Sequence, residues 1–240
     1  MSETTDLLAR HASVRSFTAE PVSEADLAAV AAAARQSSST CALQVVSVIR
    51  ITDPEKRARL AELAGHQAHV AAAPEFWVFC ADLARDAALA EKPDLGWTEQ
   101  LLYCAVDAGI MGQSAMAALE SLGLGGVFIG GIRNNIAEVA ELLALPPQTA
   151  PLFGIAFGHP AQRNGIKPRL PASVTFMENR YRKADPAEMS AYDETMRRYY
   201  ASRPASPKDA RWSDEVRRLL ARERRPNVLP FLQKQGFALK

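Results

Sequence analysis

The chain has 240 residues, enough to bury a full core as one domain or as one domain with a small excursion. Hydrophobic residues make up 48% and charged residues 23%, which argues against disorder of the whole. A formal net charge of +1 gives no overall attraction to nucleic acid or to an acidic membrane, so any electrostatic partner must be met by a local cluster.

The opening segment MSETTDLLARH lacks the basic and apolar regions of a signal peptide, and a cytoplasmic protein is expected. Ser23 with an acidic first turn, Glu24 and Asp26, predicts the N-terminus of an alanine-rich helix that stops in SSST, Ser37 to Thr40. Leu43 to Ile51 alternates and is β-branched, which predicts a strand, followed by a helix in TDPEKRARLAELAG. Phe76 to Cys80 is a continuous apolar run and predicts a strand buried on both faces.

From Gln100 to Leu119 the chain is apolar enough to suggest a membrane span, but Asp107, Gln113 and internal Gly and Ser positions argue against one. The expectation is a helix buried at the centre of a large core, or buried in a dimer. Val127 to Gly130 and Leu152 to Phe157 predict two more short strands, giving an α+β or α/β domain with a sheet of four or five strands. GHPAQRNGIKPRLPASV reads as loop, and Ala187 to Arg222 as an amphipathic helical tail interrupted by ASRPASPKDARW. Cys41, Cys80 and Cys104 are odd in number and widely spaced, which suggests reduced packing residues, not a disulfide framework or a zinc site.

The densest signal is Leu122 to Asn135, LGLGGVFIGGIRNN, with five of the 13 glycines in nine residues. Glycine permits close backbone approach to a flat or phosphorylated ligand. The order helix, glycines, strand, glycines, helix, the last capped by Asn134 or Asn135, is opposite to the strand-first dinucleotide fingerprint, which disfavours a simple NAD-binding Rossmann unit.

Other clusters carry charge. In HASVRSF, His11, Ser13 and Arg15 alternate and point the same way from an extended segment; they suit a phosphate, or an exposed strand edge. Lys167 and Arg169 bracket Pro168, which favours an extended pair of cations, bound or solvated. SSST reads as turn chemistry or ligand hydroxyls. His66 and His69 are spaced to share a helical face, yet lack a third ligand at matching spacing, so no metal is expected. Arg197 to Arg225 holds ten basic residues against four acidic ones; without interleaved aromatics this reads as a solvated helix face, with a nucleic-acid-binding tail as the alternative. Arg203 and Lys208 sit in its proline-containing loop, where they would suit the extra phosphate of NADPH.

Taken together, HASVRSF, the SSST before LQ, GHQAHVAAAPEFWVFCAD, ESLGLGGVFIGGIRNN and KPRLP resemble the oxygen-insensitive NADPH nitroreductases of the major type and the related NADPH flavin reductases, from about residue 7 onward. The resemblance implies the α+β nitroreductase fold: a mixed, mainly antiparallel sheet of four to five strands flanked by helices, in an intertwined homodimer. It implies one domain over 1–240, with a C-terminal helical excursion at about 187–225 and a mobile basic loop at about 201–210. It also implies bound FMN, with NADPH as electron donor.

By position, the resemblance assigns FMN to His11, Ala12, Ser13, Val14, Arg15, Ser39, Gln67, Phe128, Ile129, Gly130, Gly131, Lys167, Pro168 and Arg169. Arg15 would support the reduced flavin. Arg203 and Lys208 would take the 2′-phosphate of NADPH, and Glu99 and Arg225 would line the substrate side. No side chain is strictly required as a catalytic acid. The implied activity is ping-pong, two-electron reduction of nitroaromatics and quinones by hydride transfer. Release of reduced flavin to a partner is the alternative. Ala12, Cys41 and Ala42 depart from the family pattern, which leaves substrate preference open.

Overall fold

The computed structural model describes residues 2–203 and 207–240. Residues 204–206, in the middle of the expected basic loop, lie outside the described residues. The chain divides into two compact units, one of residues 1–164 with 225–240 and one of residues 165–224.

In the first unit the elements run α1 (Glu3–Ala9), α2 (Glu24–Arg35), β1 (Val46–Arg50), α3 (Pro54–Leu63), α4 (Ala68–Ala72), β2 (Glu75–Asp82), α5 (Ala84–Ala87), α6 (Thr98–Ser121), β3 (Gly125–Ile129), α7 (Ile136–Leu142) and β4 (Thr149–Gly158). The sheet order is β1-β2-β4-β3, and all three pairings among the described residues are antiparallel. Strand β2 pairs on both sides, and Phe76 to Ala81 are all buried, as the unbroken apolar run requires.

Alternation along the strands sorts side chains into two layers. Phe76, Val78 and Cys80 meet Leu60, Leu63 and Val139 from α3 and α7 on one face. Trp77, Phe79, Ile155 and Phe157 meet Leu27 and Val30 of α2 and Ala108, Met116 and Leu119 of α6 on the other. Caps fix several helix starts: Ser23 Oγ accepts from Asp26 N at 3.1 Å, and Asp53 Oδ1 accepts from Glu55 N at 2.8 Å ahead of Pro54.

Three expectations change. Strand β1 starts at Val46, not Leu43, because Cys41, Ala42 and Gln44 have left-handed φ of 48°, 58° and 59°, which breaks the extended run. Cys41 is exposed and so is not a packing residue, whereas Cys80 and Cys104 are buried and desolvation pushes both thiols up to about 12.

Helix α6 is long and apolar enough to cross a membrane by length and composition. Its Cys104, Ala108, Ala115 and Met116 are buried, but Leu102, Val106 and Ile110 stand exposed at 55%, 56% and 41%. The reading of α6 as a helix buried all round in one chain's core therefore fails on that face.

The remaining helix of the first unit is α11 (Val228–Lys234), whose Phe231 and Leu232 join Phe237, Ala81, Leu83 and Cys104 in a third cluster. The second unit holds α8 (Ala172–Thr175), α9 (Pro186–Ala201) and α10 (Trp212–Leu220). Its small core is Tyr192, Met196 and Tyr200 of α9, with Leu170, Ala210 and Trp212 against them.

Candidate functional site

The HASVR segment leaves α1 and runs extended beside β3, where Val14 N donates to Gly126 O at 2.9 Å. Val14 is buried against a glycine: a Cβ on Gly125 would lie 2.6 Å from Val14 Cγ2. The segment therefore turns Val14 inward and leaves His11, Ala12 and Ser13 half-buried and Arg15 exposed.

His11 Nδ1 lies 2.6 Å from Glu120 Oε1, in the last turn of α6. An ionised carboxylate only accepts, so the Nδ1 carries a proton and Nε2 is the atom left for a ligand. The Ser13 carbonyl accepts from Asn164 Nδ2 at 2.9 Å. Among the described residues, neither the Ser13 hydroxyl nor the Arg15 guanidinium has a hydrogen bond or ion pair.

Gln67 precedes α4, and its Nε2 donates to Ala64 O at 2.8 Å. A Cβ on the buried Gly131 would overlap both that amide nitrogen and the Ala64 carbonyl oxygen, so Gly131 has an internal reason to be glycine. Gly126 likewise lies under Met116, so much of the glycine cluster serves contacts within the protein. Gly130 is half-buried, Ile129 is 1% exposed, and Phe128 is partly exposed with its ring edge-on to Phe153 at 5.4 Å.

The asparagines do not cap α7 through their side chains. Asn135 occupies the N-cap position but donates to Leu63 O at 2.8 Å, while Asn134 donates to Ala64 O at 3.2 Å and accepts from Arg225 Nε at 2.9 Å. His66 has a φ of 56° and stands outside α4, so it shares no helical face with His69. His69 Nε2 is buried without a hydrogen-bond partner, and burial, then the charge of Arg15, holds the imidazole below its ordinary range.

Ser39 and Thr40 are tied to α6. Ser39 Oγ donates to Asp107 Oδ2 at 2.8 Å and accepts from Gln44 N at 2.7 Å; Thr40 N and Oγ1 donate to Asp107 at 3.0 and 2.9 Å. Asp107 is 2% exposed. Ser39 can therefore offer a ligand only its remaining lone pair while these bonds hold. A cleft of about 1500 Å³ opens beside it, lined by α2, Ala42 to Gln44, Val46, Trp77 and Met111. His11, Arg15, Gln67 and the 128–131 segment do not line it.

In the second unit, Lys167 and Arg169 are exposed, Arg169 Nη1 donates to Lys167 O at 3.1 Å, and Pro168 O accepts from Tyr192 Oη at 3.1 Å. Arg203 is half-exposed just past α9, and Lys208 lies over the Tyr200 ring. Glu99 is exposed in the first turn of α6. Much of the basic tail is spent locally: Arg197 pairs with Glu194 at 2.9 Å, Arg217 with Asp214 at 2.6 Å and Arg218 with Glu215 at 2.6 Å.

Three positioning groups were missed from sequence: Glu120, Asp107 and His69 as a flank of Arg15. For Asp107 and Glu120 the available signal was a carboxylate on a largely apolar helix, which must find donors where it is buried.

Residues 8–159 match the model of the Nitroreductase family and residues 167–240 that of the Nitroreductase family, C-terminal domain. The chain is 50% identical, over the whole of both chains, to an oxygen-insensitive NADPH nitroreductase of Salmonella typhimurium. It is 47% identical, over 99% of each chain, to an NADPH-flavin oxidoreductase of Vibrio harveyi. The crystal structure of nitroreductase A from Vibrio parahaemolyticus superposes with a TM-score of 0.95 at 46% identity over the whole of both chains.

Proposed function

Because the chain belongs to the nitroreductase family over nearly its whole length, we propose that it works as an FMN-dependent NADPH oxidoreductase that reduces nitroaromatics and quinones two electrons at a time. This reading of the site is supported by a set of polar groups left without partners around Arg15 in the first unit. These are the Arg15 guanidinium, the Ser13 hydroxyl and the buried Nε2 of His69, among the described residues. Buried polar atoms are nearly always bonded, so an orphan beside a cation fits a polar, negatively charged ligand edge.

Bound FMN supplies the chemistry of carrying two electrons between the nucleotide and the oxidant. The chain's own residues hold and orient it. Arg15 places a fixed cation that favours negative charge on the ligand. Glu120 fixes the ring of His11, so that Nε2 is aimed without a rotamer search. Gln67 and Gly131 pack against each other and keep the 128–131 backbone close, and Ala12, Val14, Phe128, Ile129 and Gly130 shape the same edge. Asp107 holds Ser39 in place. Lys167, Pro168 and Arg169 are assigned to the FMN phosphate on the family pattern, and Glu99 and Arg225 to the substrate side.

We assign the enzyme to the cytoplasm, as a homodimer. The exposed row Leu102, Val106 and Ile110, one helical turn apart, supports burial against a second copy of the chain. Nucleic acid and membrane are not partners in this reading. The similarity to an NADPH-flavin oxidoreductase favours a second reading, in which reduced flavin is released to another protein. Tight FMN retention through steady turnover with a quinone would rule that out.

Arg203→Ala tests the nucleotide assignment. Loss of one charge-assisted phosphate contact should raise KM for NADPH by about tenfold or more and leave KM for NADH within about twofold. An unchanged ratio between the two nucleotides would remove Arg203 from the 2′-phosphate.

A further inference from the structure

The last turn of helix α9 holds a tyrosine that touches both lysines assigned to phosphates. Tyr200 is 7% exposed, in the cluster with Tyr192 and Met196. Lys208 Nζ lies 4.5 Å from the centroid of its ring and Lys167 Nζ 5.5 Å from the same centroid. The Lys208 N–H also donates to the Tyr200 carbonyl at 3.1 Å. Lys208 is thus tied to the end of α9 at both its main chain and its side chain. The nearby carboxylate of Glu215, which senses the Lys208 charge, is itself paired with Arg218 at 2.6 Å.

We propose that Tyr200 is a positioning residue that sets the preference for NADPH over NADH by holding Lys208 in place for the 2′-phosphate. The inference rests on the assignment of Lys208 to that phosphate and adds what fixes it. A free lysine has many rotamers to lose on binding, and a cation resting on a buried aromatic face has fewer. Pre-placement of this kind raises affinity without adding a contact to the ligand. The same ring steadies Lys167, so one side chain orders two phosphate-directed cations.

The test is steady-state kinetics of the holoenzyme with NADPH and with NADH, on three changes. Tyr200→Met fills the buried space with a flexible apolar chain and removes the π face; it should raise KM for NADPH by about fivefold and leave KM for NADH unchanged. Tyr200→Phe keeps the ring and should behave as the parent. A trifluorinated phenylalanine at the same position keeps the shape but drains the face of negative potential, and should fall with Tyr200→Met; it also decides the question if Tyr200→Met does not fold. Equal KM for NADPH in the Phe and trifluorinated proteins, or equal losses for both nucleotides, would overturn the proposal.

Lys208→Gln separates the two layers. If it leaves the nucleotide preference unchanged, the assignment of Lys208 is wrong. If it alters the preference while the Tyr200 series does not, the role of Tyr200 is wrong.

Discussion

Gly131→Ala is expected to lower stability by about 2–4 kcal/mol and to strip the purified protein of most of its flavin. The position is buried in the turn after β3, and an added Cβ would run into two atoms that are already bonded to each other, Gln67 Nε2 and Ala64 O. Neither can give way cheaply. Ala64 O belongs to the backbone at the end of α3 and also accepts from Asn134 Nδ2 at 3.2 Å, so moving it disturbs the turn on both sides. Moving Gln67 instead breaks its hydrogen bond and displaces a residue assigned to the cofactor. Thermal melting should fall by about 5 °C or more for a chain of this size. The flavin-to-protein absorbance ratio should fall with it. A melting temperature within about 1 °C of the parent would show that the turn has slack that this packing does not reveal.

Asp107→Ala should cost about 1–3 kcal/mol and loosen residues 39–44 far more than the rest of the chain. Left-handed φ at Cys41, Ala42 and Gln44 is unfavourable for residues with a Cβ, so the loop keeps its shape only because it is held from outside. Asp107 does much of that holding through Ser39 Oγ, Thr40 N and Thr40 Oγ1. Hydrogen bonds to a charged acceptor are worth about 1.5–3 kcal/mol each, offset here by the cost of burying the carboxylate. Amide hydrogen exchange should therefore quicken at residues 39–44 and FMN affinity should fall. Asp107→Asn, which keeps shape and one acceptor, should lie between. Unchanged exchange in this loop would mean that Asp107 does not anchor it.

The fold was legible where a local signal carries it. Phe76 to Cys80 reads as a strand buried on both faces, and Ser23 marks a helix start by chemistry that needs no tertiary context. The site was legible only in part. His11 depends on Glu120, 109 positions away, and Ser39 on Asp107, 68 positions away, and neither pairing leaves a periodicity in the sequence. The left-handed positions Cys41, Ala42 and Gln44 include no glycine or asparagine to announce them. The glycine cluster correctly signalled close approach, but at Gly125, Gly126 and Gly131 what approaches is the protein itself. For α6, composition gave its apolar character, but which face is buried depends on what packs against it.

An anaerobic titration of the purified protein tests whether a flavin is held at the Arg15 edge and turned over by NADPH. The expected result is a yellow protein with one FMN per chain, bleached by one equivalent of NADPH and restored by a nitroaromatic or a quinone. In Arg15→Ala, either the flavin content or the rate of bleaching should fall. A colourless protein that does not take up added FMN, or an Arg15→Ala protein with normal flavin content and normal bleaching, would contradict it.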